Sequence, residues 1–426
     1  MIFVSFSKEA GMFKRIKGTQ DFLDLTLFNF IIEQAKKHFS EYNFTEIATP
    51  VIEPTDLYHR STGQESEVVT KQMFRIAVKD GEQMCLRPEI TPSIIRAFIE
   101  NNVIQTPWKV FTYGPVFRYE RPQKGRYRQF HQLNIEVIGS ESISQDASFV
   151  KMLDRFFSDK LSLRNYALLI NFIGCFEDRK AYRELLSQFL DNVEQDICKE
   201  CKIRKEKNTL RIFDCKSPDC QKIYKDAPHI TDSLCKECKG EWETLQEELT
   251  LLSVSYKVEP TLVRGLDYYS KTVFEFVSDS LGSQSAFCGG GRYNQLVSQL
   301  GGKGDQPSVG AAPGIERLML LLEPIRDTLV LPQPPALHLI LPMSKKQDML
   351  ALLLADTLQS EGLCTDILLE GGSIKSMMRR ANRMGAKYVL ILGDEEQEEK
   401  KVTVKDMVNG KSDQILQVEL VEFLKS

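Results

Sequence analysis

The stretch FRYERPQKGRYRQFHQ, residues 117–132, joins two apolar runs through a basic turn and decides the fold of this part of the chain. A single acid, Glu120, accompanies five basic residues: Arg118, Arg121, Lys124, Arg126 and Arg128. The flanking runs WKVFTYGPVF and RQFHQLNIEVIG are rich in aromatic and β-branched residues, which predicts β-strands. Because adjacent strands joined by a short loop usually pair antiparallel, we predict a hairpin with this basic loop at its tip.

The basic loop has an ordinary interpretation and a functional one. A run of charges is most often a solvated turn. However, Arg118 and Arg128 lie at strand ends, where side chains point at fixed faces, and the planar guanidinium suits phosphate and keeps its charge. Phe130 lies beside them and can stack on a base. Since the sequence has no GxxxxGK[ST] motif, we expect this loop to bind a nucleoside triphosphate, a polynucleotide end, or both.

The strand after the loop has one polar face. With a period of two, Gln132, Asn134 and Glu136 share a face, and the apolar residues between them share the other. The stretches LVRGLDYY and GGGRY are expected to supply neighbouring strands, and LRPEIT adds Glu89. The alternatives are a sheet with one solvated side, or a polar floor on which carboxylates and an amide hold a small cation.

Composition sets the class of protein. The chain has 426 residues, 42% hydrophobic and 27% charged, which is ordinary for a globular protein of two or three domains. A net charge of −4 argues against a protein that coats nucleic acid. No apolar run approaches the roughly 20 residues of a membrane-spanning helix, and the N-terminus does not resemble a secretory signal. The first dozen residues are expected to form a loose extension, and a cytoplasmic location is expected.

The secondary-structure pattern predicts an interrupted first domain and a separate C-terminal one. Helices are predicted at 25–42, 92–101 and 146–158, and a strand at FTEIATPVIEP, residues 44–54. We predict domain segments at 1–174, 175–256 (a helical, cysteine-rich insertion) and 257–330, followed by the linker LPQPPA at 331–336. Alternating strands and helices after the linker, with Ser373 capping one helix, predict an α/β domain with a largely parallel sheet at 337–426.

Six cysteines of the insertion have spacings typical of metal ligands: Cys198-x2-Cys201, Cys215-x4-Cys220 and Cys235-x2-Cys238. Two CxxC pairs can form a tetrahedral zinc site, which favours Cys198, Cys201, Cys235 and Cys238 as ligands. The alternative is a set of reduced thiols in a small helical domain. Six candidates for four places leave the ligand set open.

The motifs together resemble the class II aminoacyl-tRNA synthetases, and more narrowly the histidyl-tRNA synthetase family. Residues 44–54 resemble motif 1, 117–139 motif 2 and VGAAPGIERLMLLLE motif 3, while CLRPEITPSIIRAF, LVRGLDYYSKTVFEF and CGGGRYNQLV resemble segments of the histidine enzymes. The resemblance implies an α+β catalytic domain with an antiparallel sheet, a helical insertion domain and a C-terminal α/β anticodon-binding domain. Among the departures, Asn43 stands where motif 1 normally has glycine.

The resemblance also implies a role for individual residues. ATP, with Mg2+, would be bound by Arg118, Glu120, Arg126, Phe130 and Arg317. Histidine would be bound by Glu89, Thr91, Gln132, Glu136, Tyr268 and Tyr269, with the turn 289–291 nearby. Arg264 and Arg118 would be catalytic at the α-phosphate, and Gln123 and Arg128 would touch the acceptor end of tRNA(His).

The implied activity is ATP-dependent ligation of L-histidine to its tRNA by a homodimer, with structural Zn2+ as an open question. The alternatives are a histidine-sensing regulatory paralogue and a synthetase of the same subclass for another amino acid. The former would lack the C-terminal domain and erode the arginines, and the latter would lack LVRGLDYY.

Overall fold

The computed structural model describes residues 13–63, 68–77, 81–123, 125–282 and 285–425. The expected N-terminal extension and Lys124 of the basic loop lie outside these residues. The chain divides into two compact units between Leu331 and Pro332. This division falls in the proline-rich segment 331–336, which contains no helix or strand.

The first unit contains ten α-helices and eleven strands within the described residues. The helices are α1 Thr26–Glu41, α2 Thr55–Thr62, α3 Thr91–Glu100, α4 Ser144–Arg155, α5 Phe176–Asn192, α6 Lys199–Lys207, α7 Pro218–Ile223, α8 Lys236–Leu251, α9 Leu296–Gln299 and α10 Ile315–Leu322. The strands are β1 Thr45–Glu46, β2 Ile52–Pro54, β3 Phe74–Ile76, β4 Met84–Leu86, β5 Trp108–Phe117, β6 Gln129–Ile138, β7 Ala167–Phe172, β8 Lys257–Val258, β9 Ser270–Val277, β10 Ala286–Arg292 and β11 Ser308–Pro313.

An eight-stranded sheet in the order β1-β5-β6-β11-β10-β9-β7-β8 forms the centre of this unit. All its pairings are antiparallel except β1 with β5 and β7 with β8. The predicted hairpin is confirmed, since β5 pairs with β6 from Trp108 opposite Ile138 to Phe117 opposite Gln129. One face of β6 packs Leu133, Ile135 and Val137 into the main hydrophobic core. The alternation therefore turns the polar residues of β6 toward the opposite side of the sheet.

Two strand predictions were wrong. The stretch 44–54 is not one strand: β1 joins the central sheet, while β2 belongs to a separate sheet in the order β2-β4-β3. The stretch LVRGLDYY is a loop that ends where β9 begins. Side chains from other segments hold this loop, because Asn171 donates to the Leu262 carbonyl at 3.0 Å and Arg211 donates to the Gly265 carbonyl at 2.6 Å.

Asn43 shows why glycine is usual at its position. Its φ is 62°, in the left-handed region that asparagine tolerates better than most side chains. It follows directly on the turn that ends α1, where its amide donates to the Ser40 carbonyl at 3.0 Å.

The segment between β7 and β8 is helical, as predicted, and contains α5 to α8. Buried residues of α5 to α7 and the turns after them, among them Tyr182, Leu186 and Tyr224, belong to one hydrophobic cluster with Tyr268 and Val273, whereas the buried residues of α8 belong to the main core. The helical character is therefore confirmed, while the boundaries of a separate insertion domain stay a prediction.

The second unit has a five-stranded sheet in the order β13-β12-β14-β15-β16. Its elements are β12 Leu337–Pro342, α11 Asp348–Ser360, β13 Thr365–Ile367, α12 Ile374–Arg383, β14 Ala386–Leu392, α13 Asp394–Glu398, β15 Lys401–Asp406, β16 Ser412–Leu416 and α14 Leu420–Lys425. Ser373 caps α12 as predicted, by accepting from the Ser376 amide. The prediction of a largely parallel sheet was wrong, because β15 and β16 form a hairpin and β15 pairs antiparallel with β14.

Across the parts of the chain that the structure describes, no helix combines the length and the apolar character needed to cross a membrane.

Candidate active site

Two adjoining cavities lie along the polar face of the central sheet. The arginine cavity, of about 260 Å³, has Arg118, Glu120, Arg126, Phe130 and Arg317 among its lining residues. The tyrosine cavity, of about 590 Å³, has Glu89, Thr91, Gln132, Tyr268 and Tyr269 among its own. Residues shared by both walls are Arg118, Glu120, Arg126, Gln132, Arg264 and Ala312. The structure thus brings together the residues predicted for ATP and those predicted for histidine.

Among the described residues, four arginines line the arginine cavity, and three of them, Arg118, Arg126 and Arg317, come from the basic loop and from α10. Arg118, just after β5, donates from Nε to the Pro88 carbonyl at 2.8 Å and lies 5.5 Å from the centroid of the Phe130 ring. Arg126, from the basic loop, donates to the Glu120 carboxylate. Arg317 on α10 donates to the carbonyl of Gly125 at 3.2 Å. Burial lowers the pKa of Arg317, and the positive charges of Arg126 and Arg118 lower it further. Because these like charges repel one another, an anion between them would be stabilised.

A buried carboxylate that the sequence did not single out holds α10 against β6. Glu316 accepts from the backbone amide of His131, at 3.0 and 2.9 Å to its two oxygens, and from His131 Nδ1 at 2.8 Å. Since Glu316 precedes Arg317 and His131 lies between Phe130 and Gln132, this contact fixes the two cavity walls relative to each other.

Glu89 forms the acidic side of the tyrosine cavity. It is 4% exposed, and Tyr268 donates its hydroxyl to Oε2 at 3.3 Å. Burial raises the pKa of Glu89 to about 7, although Arg118, Tyr268 and Arg264 act in the opposite direction. Its other oxygen, Oε1, and Oε1 of Gln132 are buried and have no hydrogen-bond partner among the described residues. Two buried acceptors without donors suit a ligand that supplies N–H groups.

Glu136 lies beneath the tyrosine cavity rather than in its lining. It is fully buried, accepts from Thr91 Oγ1 at 2.6 Å, and accepts from the hydroxyl of Tyr293. Burial raises the pKa of Glu136 to about 8, and hydrogen bonds from the side chains of Thr91, Tyr293 and Asn134 only reduce this effect. Gly310 faces it on β11, and any Cβ at Gly310 would collide with the Glu136 carboxylate. Sequence reasoning missed Tyr293, whose only signal was its position directly after GGGR.

Arg264 is held at the junction of the two cavities. Its Nη1 donates to the Glu275 carboxylate, and its guanidinium carbon lies 5.7 Å from the centroid of the Tyr269 ring. Gly289 passes so close that a Cβ there would collide with the guanidinium, which explains a glycine in GGGR. The Nε of Arg264 is a buried donor that has no acceptor within the described residues.

Arg292, the arginine of GGGR, is structural. Its guanidinium is 1% exposed and forms an ion pair with the fully buried Asp146. It also donates to the carbonyls of Ser140 at 2.7 Å and Ser142 at 2.9 Å. The acceptors belong to the segment between β6 and α4 and to the first turn of α4, so Arg292 fixes this part of the chain and is absent from the lining of both cavities.

The structure does not bring Gln123 and Arg128 to either cavity. Gln123 is exposed on the basic loop, and Arg128 stacks 3.9 Å from the centroid of the Tyr119 ring while donating to the Glu120 carbonyl at 3.2 Å. Gln123 lines a separate open cavity with Gly18 and Tyr127, and Arg128 is half-buried.

The four cysteines predicted as one zinc site are in two different groups. Cys198 and Cys201 cluster with Cys215 and Cys220, and Cys235 and Cys238 cluster with Cys175 and Asp178. The predicted ligand set was therefore wrong, because sequence spacing cannot show which pairs meet in space.

The sequence matches the family model described as histidyl-tRNA synthetase over residues 28–318. The chain belongs to the histidyl-tRNA synthetase family. Residues 338–426 match the model described as the anticodon binding domain. The family and the fold class that the motifs predict are confirmed.

Curated members of this family match nearly the whole chain. A histidine–tRNA ligase of Halothermothrix orenii is 41% identical and covers 96% of this chain and 98% of its own length. One from Nitratidesulfovibrio vulgaris is 43% identical and covers 94% and 95%. The crystal structure of apo S. aureus histidyl-tRNA synthetase has a TM-score of 0.80 at 34% identity and covers 97% of this chain and 100% of that one.

Proposed function

We propose that this histidyl-tRNA synthetase activates L-histidine with ATP to histidyl-adenylate and pyrophosphate, then transfers histidine to the 3′ end of tRNA(His). The observation that carries the proposal is that the tyrosine cavity contains both buried acceptors and a buried donor that have no hydrogen-bond partner within the described residues. Glu89 and Gln132 present buried acceptors, and Arg264 presents a buried donor. An amino acid offers an ammonium group and an anionic carboxylate, which complement them.

In the proposed first step, the histidine carboxylate attacks the α-phosphorus and pyrophosphate leaves. The carboxylate is ionised at neutral pH, so no general base is needed. Arg118 and Arg264 align the two anions and neutralise the charge that develops on the α-phosphoryl oxygens. Arg126 and Arg317 bind the outer phosphates, and Phe130 stacks on adenine while Glu120 hydrogen-bonds it.

The magnesium ion of the proposed reaction would enter with ATP. The acids that line the arginine cavity already have protein partners: Glu120 binds Arg126, Glu275 binds Arg264, and Glu316 binds His131. Mg2+ commonly keeps several waters and is held by substrate phosphates. The lining therefore fits an ion carried by the triphosphate better than a cage of carboxylates. When bound, the ion supplies charge neutralisation between the phosphates.

Specificity for histidine rests in this proposal on the wall formed by Tyr268 and Tyr269, with Thr91 and Gln132 beside it and the buried Glu136 beneath. A pocket that pairs with both ring nitrogens rejects side chains that leave its buried polar groups unpaired, by about 10⁴-fold or more in comparable polar sites. Gln123 and Arg128, on the basic loop, contact the acceptor end of the tRNA in the second step.

A homodimer and a cytoplasmic location belong to the same proposal. They are supported by the resemblance of residues 44–54 to motif 1, which builds the dimer interface in the family, and by the clustered free thiols of the insertion. Light scattering coupled to gel filtration checks the dimer.

ATP–pyrophosphate exchange with each amino acid in turn tests the activity. Only histidine is expected to stimulate exchange, and its failure to do so would end the proposal. The variant Glu89→Gln removes the charge and keeps the shape, so it should raise the KM for histidine about 10-fold or more while leaving the KM for ATP nearly unchanged, as expected for loss of a hydrogen bond to a charged group. Glu247→Gln, the same substitution at an exposed position of α8, is the control and should change neither.

A further inference from the structure

We propose that Cys198, Cys201, Cys215 and Cys220 bind one zinc ion, and that this ion fixes the insertion against the loop that carries Arg264 and Tyr268. The four cysteine sulfurs lie within 4.8 Å of one another. The proposal concerns a second, structural site and not the chemistry of histidine activation.

The spacing of the sulfurs fits a tetrahedral thiolate site. With zinc–sulfur bonds of about 2.3 Å, the edge of a tetrahedron is about 3.8 Å. The distance between the Sγ atoms of Cys198 and Cys215 is 3.8 Å. The sulfurs are too far apart for disulfides, and all four cysteines are free.

Backbone amides already point at two of these sulfurs. The Cys198 amide donates to Cys220 Sγ at 3.2 Å, and the Ser217 amide donates to Cys215 Sγ at 3.4 Å. Such donors stabilise the negative charge of thiolates and orient them as metal ligands.

The stretch around these cysteines has little apolar core of its own. In residues 198–230, all of which the structure describes, the buried apolar residues other than cysteine are Ile212, Tyr224, Ala227 and Ile230. Short helices with so few buried side chains are the kind of module that a structural metal stabilises.

The second cysteine group has a different explanation. Cys175 and Cys235 are the N-cap residues of α5 and α8, and the sulfur of each accepts from the amide three residues ahead. The carboxylate of Asp178 accepts from the amides of Cys175 at 3.1 Å and Cys235 at 2.8 Å. The second group therefore has three thiols and a carboxylate that already accepts from two backbone amides, instead of four thiols, and it provides a matched control.

Two side chains, those of Asn208 and Arg211, link the cysteine site to the loop that carries Arg264 and Tyr268, and a third bond, from Arg204, braces the linking segment itself. Residues 204–211 lie between the two ligand pairs. Asn208 donates to Asp267 at 3.0 Å, Arg211 donates to the Gly265 carbonyl at 2.6 Å, and Arg204 donates to the Arg211 carbonyl at 3.2 Å. Arg204, Arg211 and Lys216 also line the tyrosine cavity. Zinc would thereby hold one wall of that cavity in place.

Metal analysis of protein purified without added metal tests the site. We expect about one zinc per chain in the wild type and in Cys235→Ser, but below about 0.2 in Cys220→Ser. Little zinc in the wild type, or equal zinc loss in both variants, would overturn the ligand set.

If Cys220→Ser does not fold, the site is tested by replacing zinc with cobalt(II) in the wild type and in Cys235→Ser. Identical spectra of tetrahedral cobalt with four thiolates support the site, whereas a spectrum altered in Cys235→Ser refutes it.

A second experiment tests whether zinc influences the active site, and it rests on the proposed function because it measures pyrophosphate exchange. Removing zinc from the wild type should raise the KM for histidine in pyrophosphate exchange by about fivefold or more, and restoring zinc should reverse this. Unchanged KM with zinc removed would refute the link. Absence of exchange in zinc-loaded wild type would instead count against the proposed function.

Discussion

The variant Glu136→Gln is expected to make the first unit more stable at alkaline pH. Burial raises the pKa of Glu136 from 4.5 to about 8. A carboxyl group whose pKa is raised by folding favours the folded state below its unfolded pKa, and this contribution is lost as pH rises to the folded pKa. At about 1.4 kcal/mol per pKa unit, the wild type should lose on the order of 3 to 4 kcal/mol of unfolding free energy through this group between pH 5 and pH 8. Glutamine does not titrate and keeps the shape, so the variant avoids this loss.

Denaturant unfolding at pH 5 and pH 8 measures the difference. Both tryptophans of the chain, Trp108 and Trp242, lie in the first unit, so their fluorescence reports on it. The exposed Glu247→Gln is the control and should follow the wild type. If Glu136→Gln loses as much stability as the wild type between these pH values, the buried carboxyl group is not the cause. In exchange assays above pH 8, where Glu136 is ionised, the same variant should lower the kcat/KM for histidine about 10-fold or more, because it lacks the negative charge beneath the tyrosine cavity.

Two further predictions separate the roles of individual side chains. Arg264→Ala should chiefly lower the rate of pyrophosphate exchange, whereas Arg128→Ala should chiefly lower transfer to tRNA in single-turnover assays; equal losses in both steps from either variant would contradict this division. Asp146→Ala leaves the buried Arg292 without its partner and should cost about 3 to 5 kcal/mol of unfolding free energy. Glu41→Ala, at an exposed ion pair, should leave the unfolding midpoint nearly unchanged, and similar effects of the two variants would refute the structural role.

The sequence predicted those elements whose residues follow one another directly in the chain. The hairpin of β5 and β6 was predictable because its alternation and its turn lie in one continuous stretch. The same alternation predicted a polar face on β6, and the structure buries Gln132 and Asn134 there instead of exposing them to solvent. The sequence also identified the arginines that meet in the arginine cavity, because the motif resemblance assigns them one by one.

Features that depend on distant contacts were not predictable in this way. The aromatic residues of LVRGLDYY favour a strand, but Asn171 and Arg211 bind backbone carbonyls of this stretch and hold it as a loop. Glu316 and Tyr293 act through His131 and Glu136, which are far away in sequence. The cysteines were not predictable for the same reason. The two CxxC pairs were expected to meet each other, but each lies beside residues from other parts of the insertion.

The close approach of Gly310 to Glu136 constrains how this enzyme can evolve. The two residues face each other across β11 and β6, and the space for the carboxylate exists only because position 310 lacks a side chain. A new amino acid specificity that needs a larger residue at 310 must first shorten residue 136, and the reverse order passes through a sterically blocked intermediate. The two positions are therefore epistatic, and a mutational library that varies them one at a time would miss the functional combinations.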